Sequence, residues 1–197
     1  KKHRKNPKTR QKTSAMSSAS LSVASPSGRG GGSKASPSSS APQTAEAVAK
    51  RLQSELMSMM AGASGGGGGP SVSAFPEGDS LMLWRGTVEG PACSPYETLT
   101  YRLSLKFPAE YPYKAPVVKF ETPCFHPNVD AHGNICLDVL KEKWSAALSV
   151  RTVLLSVQAL LAEPNNESPL NVVAARLWDD GEEYRKVLHK KYQDGVA

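Results

Sequence analysis

The run Thr98–Phe107 constrains the fold most, because its apolar and polar residues alternate strictly. Apolar residues occupy the odd positions from 99 to 107, and polar residues occupy the even positions from 100 to 106. In a β-strand, successive side chains point to opposite faces of the sheet. The run therefore predicts a strand with one buried face and one exposed face.

Two further runs have strand character. Leu81–Val88 precedes the alternating run, and Val117–Glu121 follows it after a stretch interrupted by prolines 108, 112 and 116. No helical pattern separates these runs, and short connections of this kind join antiparallel strands. We therefore expect an antiparallel meander.

A helical pattern precedes the strands. Thr44 is a favourable helix cap, and Gly62 is a natural end for the helix. Between them lies an apolar stripe with helical spacing, which consists of Val48, Leu52, Leu56, Met59 and Met60. Lys50 and Arg51 are expected to lie off this stripe.

Helical patterns also follow the strands. Ser149 is expected to cap a helix with the apolar residues Val150, Val153, Leu154, Val157, Leu160 and Leu161. Ser168 before Pro169 predicts another cap, since proline is favoured at the first helical position. Asp180 with Glu183 predicts a capping box. A helix, then strands, then helices indicates an α+β fold.

Charge and composition divide the chain near residue 45. Residues 1–45 hold nine of the 24 Lys and Arg residues and no acid, so the rest, with 15 cations and 18 acids, carries a charge of −3. Residues 13–45 are mostly Ser, Ala, Pro and Gly, which predicts disorder. We expect a disordered basic extension at 1–45 and a folded domain at 46–195 with a flexible glycine-rich loop at 62–70.

The extension leaves several interpretations open. The basic run at 1–12 is typical of a solvated tail, a nuclear-import signal or a contact with nucleic acid. The acidic charge of the remaining chain argues against nucleic acid as a partner. Met16 is a candidate translation start, in which case residues 1–15 belong to an upstream translated segment or to a cloning addition.

The composition also bears on cellular location. No stretch of about 18 apolar residues predicts a membrane span, and no secretory signal begins the sequence. The three cysteines are odd in number and lack the spacing of a disulfide scaffold. These features favour a reducing location, cytoplasmic or nuclear.

The segment His126–Leu140 carries the strongest chemical signal. Cys136 follows a Gly133–Asn134 turn, and Asn128 lies eight residues earlier within a His-Pro-Asn tripeptide. A thiol is a useful nucleophile only where it can be reached, and an adjacent turn favours this. An amide nearby could stabilise the oxyanion of an acyl transfer.

The residues alone leave four interpretations of Cys136 open. It could be a buried structural thiol, which is common for free cysteines. It could bind zinc with Cys124, His126 and His132, although their spacing is unusual for zinc. It could be a protease nucleophile, although His, Asn and Cys lie unusually close in the sequence. The fourth interpretation is acyl transfer through a thioester.

The chain from Lys50 to Tyr192 resembles a ubiquitin-conjugating enzyme, since a series of short motifs occurs in that family's order. The motifs are Lys50–Leu52, Trp84–Thr87, Phe107-Pro108, Tyr111–Tyr113, Pro116–Phe120, His126–Asn128, Gly133–Asp138, Trp144-Ser145, Leu154–Gln158 and Glu163–Asn165. The resemblance implies a four-stranded antiparallel meander sheet with an N-terminal helix and C-terminal helices.

Four segments resemble one subgroup, the cyclin-selective conjugating enzymes that serve the anaphase-promoting complex. They are residues 72–77, 122–124, 140–144 and 168–171. This resemblance implies a role in protein degradation by the proteasome and in cell-cycle progression. The alternatives are an enzyme for another RING-type ligase and a non-catalytic ubiquitin-binding variant, but such variants lack the cysteine that is present here.

The family resemblance assigns roles around the thiol. Cys136 would accept ubiquitin as a thioester, and Asn128 would stabilise the oxyanion or hold the nearby loop. His126 and Pro127 would be structural, and Glu167 and Ser168 would face the site as a gate. Many family members carry aspartate where this chain has Ser168, which is also a candidate for proline-directed phosphorylation.

The resemblance also implies partner surfaces. Residues expected to contact the activating enzyme and a RING-type ligase are Lys50, Arg51, Pro112, Tyr113, Ser145, Ala146 and Ala147. Leu155 would pack against the donor ubiquitin. We expect a monomer without a metal or bound cofactor, with ATP consumed upstream by the activating enzyme, in cytoplasm and nucleus. Substrates and chain linkage are not predicted.

Overall fold

The computed structural model describes residues 44–62 and 71–196. The helices are α1 (Ala45–Gly62), α2 (Val150–Ala162), α3 (Val172–Leu177) and α4 (Gly181–Val196), with a 3-10 helix at Asp138–Leu140. The strands are β1 (Val72–Glu77), β2 (Ser80–Glu89), β3 (Thr100–Lys106) and β4 (Val117–Phe120). The predictions for residues 1–43 and for the glycine-rich loop at 63–70 lie outside the described residues.

The four strands form one antiparallel sheet in the order β1-β2-β3-β4. Leu103 at the centre of β3 pairs with Gly86 on β2 and with Phe120 on β4. The predicted α+β fold, with a four-stranded antiparallel sheet between N-terminal and C-terminal helices, is confirmed. The residue pattern had not indicated β1, since this strand contains a proline and directly follows the glycine-rich loop.

The alternating residues of β3 form the centre of the core. Tyr101, Leu103 and Leu105 are fully buried, as is Leu154 of α2. At Gly86 a Cβ atom would lie only 2.9 Å from a Leu105 methyl group and 3.3 Å from one of Leu154. The helix α2 therefore packs closely against the sheet where β2 has no side chain.

Three of the predicted helix caps are present. Thr44, Ser149 and Asp180 accept hydrogen bonds from the amides of Ala47, Thr152 and Glu183 respectively. The capping box predicted at Asp180 is incomplete, because the Asp180 amide donates to the carbonyl oxygen of Leu177 and not to the Glu183 side chain. On α1, Met60 is 56% exposed, and Glu55 takes a buried position instead. Ser168 caps no helix and is described with the site. No helix in the described ranges is long and apolar enough to cross a membrane.

Candidate active site

Cys136 lies between the end of a tight turn and the 3-10 helix at Asp138–Leu140. Its backbone amide donates to the carbonyl oxygen of Asn128 at 2.9 Å, and the residue is half-buried. The ammonium of Lys141, at the end of the 3-10 helix, lies 3.2 Å from the Cys136 sulfur. The structure thus presents a reachable thiol with a cation beside it.

The turn before the thiol is fixed by Asp130. One carboxylate oxygen accepts from the backbone amides of His132 and Asn134, and the other accepts from the Asn134 side chain. Gly133 has a φ of +77°, and a Cβ atom there would lie 2.1 Å from the carbonyl oxygen of Phe120. Only glycine fits this close approach, which docks the turn on the end of β4.

His126 is fully buried and holds the same loop through hydrogen bonds at both ring nitrogens. Its Nε2 donates to the carbonyl oxygen of Leu160 at 2.8 Å, and its Nδ1 accepts from the Asn128 amide at 3.0 Å. Burial lowers the pKa of His126 to about 4, so the ring is neutral at neutral pH. Because both ring nitrogens are engaged, His126 has no nitrogen available as a base for Cys136 or as a zinc ligand.

Asn128 joins the thiol loop to a second loop. Its side-chain nitrogen donates to the carbonyl oxygen of Asn165 at 2.7 Å, and its side-chain oxygen accepts from the Asn165 amide at 2.8 Å. The side chain is buried and therefore depends on these partners. In this geometry Asn128 holds the loop, while its second amide hydrogen has no protein acceptor among the described residues.

The second loop, residues 165–171, runs alongside the thiol loop. The carbonyl oxygen of Pro127 accepts from the amides of both Leu170 and Asn171. Glu167 and Ser168 are exposed on this loop. The prediction that Ser168 caps a helix was wrong: α3 begins at Val172, and the side chain of Asn171 caps it. The amides of Leu170 and Asn171 donate to Pro127 instead of starting the helix earlier.

Two residues of this region were not predicted. Asn165 binds the Asn128 side chain through its backbone amide and carbonyl groups. Because any residue has these groups, the residue type at position 165 does not predict the contact. Lys141 lies five residues after Cys136, and only the 3-10 helix brings its side chain back to the sulfur. Its position in the sequence could have suggested proximity, but not this contact.

Cys124 is also poorly suited to a metal site with Cys136. Burial raises the pKa of its thiol well above the usual range, which disfavours the thiolate that zinc requires. Over residues 44–62 and 71–196, no group of three or more His, Cys, Asp or Glu side chains is placed to hold a metal ion.

The residues proposed to bind partners lie on segments that Glu55 ties together. Its buried carboxylate accepts from the Arg51 guanidinium on the same helix, from the Tyr111 hydroxyl at 2.6 Å and from the Val150 amide at 2.6 Å. Arg51 also donates to the carbonyl oxygen of Leu148 at 2.9 Å. The middle of α1, the 111–113 segment and the start of α2 therefore form one unit, which we call the helix junction.

The helix junction leaves several of the predicted contact residues accessible. Lys50, Ser145 and Ala147 are exposed, Tyr113 is 68% exposed, and Pro112 and Ala146 are half-buried. Tyr113 is thus a surface residue and not part of the core. Leu155 is 40% exposed on the outer side of α2. Arg51 differs from this group, because its guanidinium is engaged within the junction.

The fold and site together define an α+β domain that presents one thiol on a rigid loop, a class suited to covalent carrier chemistry. The family model for the ubiquitin-conjugating enzyme matches residues 51–192. The Ubiquitin-conjugating enzyme E2-20 kDa of Schizosaccharomyces pombe is 52% identical over 149 residues, covering 75% of this chain and 82% of the relative. The Ubiquitin-conjugating enzyme E2 13 of Saccharomyces cerevisiae is 47% identical over 123 residues, covering 62% and 80% respectively.

Solved structures agree with this assignment. The E2 domain of a Toxoplasma gondii ubiquitin conjugating enzyme has a TM-score of 0.65 at 35% identity, covering 74% of this chain and 96% of that one. The H. polymorpha ubiquitin conjugating enzyme Pex4p, solved with the soluble domain of Pex22p, has a TM-score of 0.68 at 28% identity, with the same coverage. The chain belongs to the ubiquitin-conjugating enzyme family, and it is a ubiquitin transferase.

Proposed function

We propose that Cys136 carries ubiquitin as a thioester and passes it to substrate lysines. The observation that carries this proposal is the Cys136 sulfur itself, half-buried on a loop fixed from both sides and 3.2 Å from the Lys141 ammonium. In charging, the sulfur attacks the carbonyl of the thioester that joins the ubiquitin C-terminus to the activating enzyme. The new C–S bond to Cys136 forms, the C–S bond to the activating enzyme breaks, and that enzyme's sulfur leaves as a thiolate while the Cys136 proton passes to solvent. ATP is consumed at that upstream step, and this chain needs no resident cofactor.

In the transfer step, a substrate lysine attacks the thioester carbonyl. The new C–N bond forms, the C–S bond breaks, the sulfur leaves as a thiolate, and the lysine proton passes to solvent or to a base on the substrate side. Lysine is mostly protonated at neutral pH, so the enzyme must orient the amine and favour its neutral form. Lys141 stabilises the departing sulfur, because its ammonium is already beside that atom.

Asn128 supports the transfer step in two ways. Its two hydrogen bonds to Asn165 fix the loop that carries Glu167 and Ser168 next to the thiol. Its second amide hydrogen is left to stabilise the oxyanion that forms as the lysine attacks. His126 and Pro127 act as scaffold, and the exposed Glu167 and Ser168 border the path of the lysine.

Ubiquitin, the activating enzyme, a RING-type ligase and protein substrates are the expected partners. The exposed residues of the helix junction would bind the activating enzyme and the ligase in turn, and Leu155 would contact the donor ubiquitin. The anaphase-promoting complex is the proposed ligase, supported by the segments 72–77, 122–124, 140–144 and 168–171. The enzyme would then act as a monomer in cytoplasm and nucleus during the cell cycle.

A charging reaction with activating enzyme, ATP and ubiquitin tests the chemistry. The wild-type chain should form an adduct that reductant removes, and Cys136→Ala should not form it. Cys93→Ala is the matched control, because Cys93 is an exposed thiol elsewhere on the domain and its loss should leave charging unchanged. Normal charging by Cys136→Ala would refute the proposal.

The ligase assignment needs a separate experiment. The charged chain should modify a cyclin fragment when the anaphase-promoting complex is added, and should do so faster than with an unrelated RING-type ligase. Equal rates with both ligases would support the alternative, a conjugating enzyme of another or broader ligase preference.

A further inference from the structure

We propose that Lys141 captures the sulfur of Cys136 after that sulfur has been oxidised, in a reversible sulfur–nitrogen bond that protects the thiol from further oxidation. The two reacting atoms, the Lys141 side-chain nitrogen and the Cys136 sulfur, lie 3.2 Å apart. Cys136 is half-buried and Lys141 is exposed, so a small oxidant in solution can reach the pair. The consequence for charging rests on the proposed function, since it concerns the thiol of that reaction.

The backbone on both sides of the pair is fixed by hydrogen bonds. The Cys136 amide donates to the carbonyl oxygen of Asn128 at 2.9 Å, and the Lys141 amide donates to that of Asp138 at 2.9 Å. The 3-10 helix at Asp138–Leu140 turns the chain between them. Formation of the bond therefore requires movement at the end of one exposed lysine side chain and no rearrangement of the fold.

The Lys141 amine is not occupied by a carboxylate. The neighbouring lysine, Lys143, is paired with Asp138 at 2.6 Å. Over residues 44–62 and 71–196, none of the ion pairs includes Lys141. A lysine amine is neutral in a small fraction of molecules at neutral pH, and this fraction grows as the pH rises. Whenever the Lys141 amine is neutral, the Cys136 sulfur is the electrophile beside it once that sulfur has been oxidised.

The first step needs a peroxide, and hydrogen peroxide is the oxidant that we propose. The Cys136 thiolate attacks one peroxide oxygen, the S–O bond forms, the O–O bond breaks, and the hydroxide that leaves takes up a proton to become water. The sulfur loses two electrons and the peroxide gains them, which leaves a sulfenic acid. A second peroxide would convert this group to a sulfinic acid, which thiol reductants do not reverse.

The second step needs no further oxidant. The neutral Lys141 amine attacks the sulfur, the S–N bond forms, the S–O bond breaks, and the hydroxide leaves with the proton lost by the nitrogen, as water. Sulfenic acids condense with nitrogen in this way, and a nitrogen held beside the sulfur competes well with a second peroxide molecule. A thiol reductant attacks the sulfur and releases the amine, and a second reductant thiol then restores the Cys136 thiol.

The other two cysteines lack this arrangement. Cys93 is exposed, and in the part of the chain that the structure describes it forms a hydrogen bond through its backbone amide and none through its sulfur. Burial raises the pKa of the Cys124 thiol well above the usual range, which disfavours the thiolate that reacts with peroxide. Cys93 therefore provides an internal comparison, a reachable thiol without an adjacent amine.

Peptide mapping of the uncharged chain tests the bond itself. Wild-type protein is treated with hydrogen peroxide at about pH 8.5, where more of the amine is neutral, and digested with trypsin without reductant. The peptide that holds Cys136 and Lys141 should be lighter than its reduced form by two hydrogens and should contain an uncleaved Lys141. Reductant should restore both the mass and the cleavage. Recovery of Cys136 mainly as a sulfinic acid, like Cys93, or joined to another cysteine would overturn the proposal.

A matched pair of variants tests the protection. Lys141→Arg keeps the positive charge, but its guanidinium remains protonated and is not a nucleophile. Lys143→Arg is the control, because Lys143 is paired with Asp138 and should not take part. Each protein is treated with peroxide and then with reductant, and its charging is divided by its own charging before treatment. Wild type and Lys143→Arg should recover most of their charging, and Lys141→Arg should recover about fivefold less. Equal recovery by Lys141→Arg would overturn the proposal.

The two experiments separate this proposal from the proposed function. The peptide mass is read without ubiquitin or activating enzyme, so it does not depend on thioester formation. A chain that forms the sulfur–nitrogen bond but cannot be charged would count against the proposed function alone. A chain that is charged normally but never forms the bond would overturn the proposal made here and leave the proposed function standing.

Discussion

The thiol region and the helix junction are both held together by buried polar groups, but these groups are neutral in the first and charged in the second. In the thiol region, residues 126–136 and 165–171, the fully buried groups that hold the loops are neutral: the His126 imidazole, the Asn128 amide and the Pro127 carbonyl. The charged groups there are closer to the surface, since Asp130 is half-buried and Lys141 is exposed. The helix junction is held by a buried carboxylate, Glu55, and the Arg51 cation. In both, buried polar groups fix segments whose outer residues are accessible.

The difference follows from what each surface must do. A buried charge beside the thiol would alter the stability of every charged species in the reaction, and a neutral frame avoids this. At the helix junction no covalent bond is made or broken, so the charged Glu55 carboxylate can accept hydrogen bonds from three segments. The comparison predicts that damage to the thiol region affects transfer and that damage to the junction affects stability.

Asn128→Ala should give the largest effect. It removes both hydrogen bonds to Asn165 and the second amide hydrogen, and loss of an oxyanion donor typically lowers the rate about 10²–10³-fold. Discharge of the thioester to free lysine should fall by that order, whereas charging should fall much less. His132→Ala, on the exposed turn nearby, is the control and should leave both rates near wild type. Equal losses in charging and discharge would show that the loop had merely collapsed.

Glu55→Ala should come next and should act on stability. The variant leaves the Tyr111 hydroxyl, the Val150 amide and the Arg51 cation without their acceptor, and breaking a buried pair in this way costs about 3 kcal/mol. Urea unfolding would measure the change. Glu182→Ala removes an exposed pair with Lys186 and should cost at most about 0.5 kcal/mol. Similar values for the two variants would contradict a charged centre at the junction.

His126 should make stability depend on pH. Its folded pKa of about 4 lies below the ordinary value of 6.5, so on acidification the unfolded chain takes up the proton first. Stability should therefore be complete above pH 6.5 and fall toward pH 4, by about 2 kcal/mol between pH 7 and pH 5. His126→Gln should be less stable at pH 7 but should lose that part of the slope. An unchanged slope in the variant would assign the effect to other groups.

Ser168→Asp should give the smallest effect. Ser168 is exposed, and in the proposed function it borders the path of the lysine, where a carboxylate would attract the incoming ammonium and position it. Discharge to free lysine should rise about two- to fivefold, the range expected for an exposed charge contact, and should fall back with added salt. Ser168→Asn is the neutral control. Identical rates for the two variants would remove the charge argument.

The fold was predictable where a pattern repeats along the sequence. The alternation of Thr98–Phe107 correctly predicted β3, although the strand itself is shorter, because Thr98 adopts a φ of +73° and Pro108 follows the run. β1 gave no comparable signal, since Pro76 interrupts it. The helix caps at Ser149 and Asp180 were predictable because each acts on amides within its own first turn.

The site was predictable only in part, because its contacts join distant residues. Cys136 and Asn128 stand out in the sequence, but the partner of Asn128 is a backbone 37 residues away. Burial of Glu55 on an otherwise apolar stripe could not be read from α1 alone, since its partners lie at residues 111 and 150. The cap at Asn171 replaced that at Ser168 because Pro127 accepts two amides of that segment.

The most direct test of the central claim is to trap the adduct on a Cys136→Ser variant and map its position. An ester to serine resists reductant, so the adduct survives digestion and mass spectrometry. We predict that the remnant of the ubiquitin C-terminus is found at position 136 and that alkali removes it. A remnant found on Cys93, on Cys124 or only on lysines, with position 136 unmodified, would contradict the account.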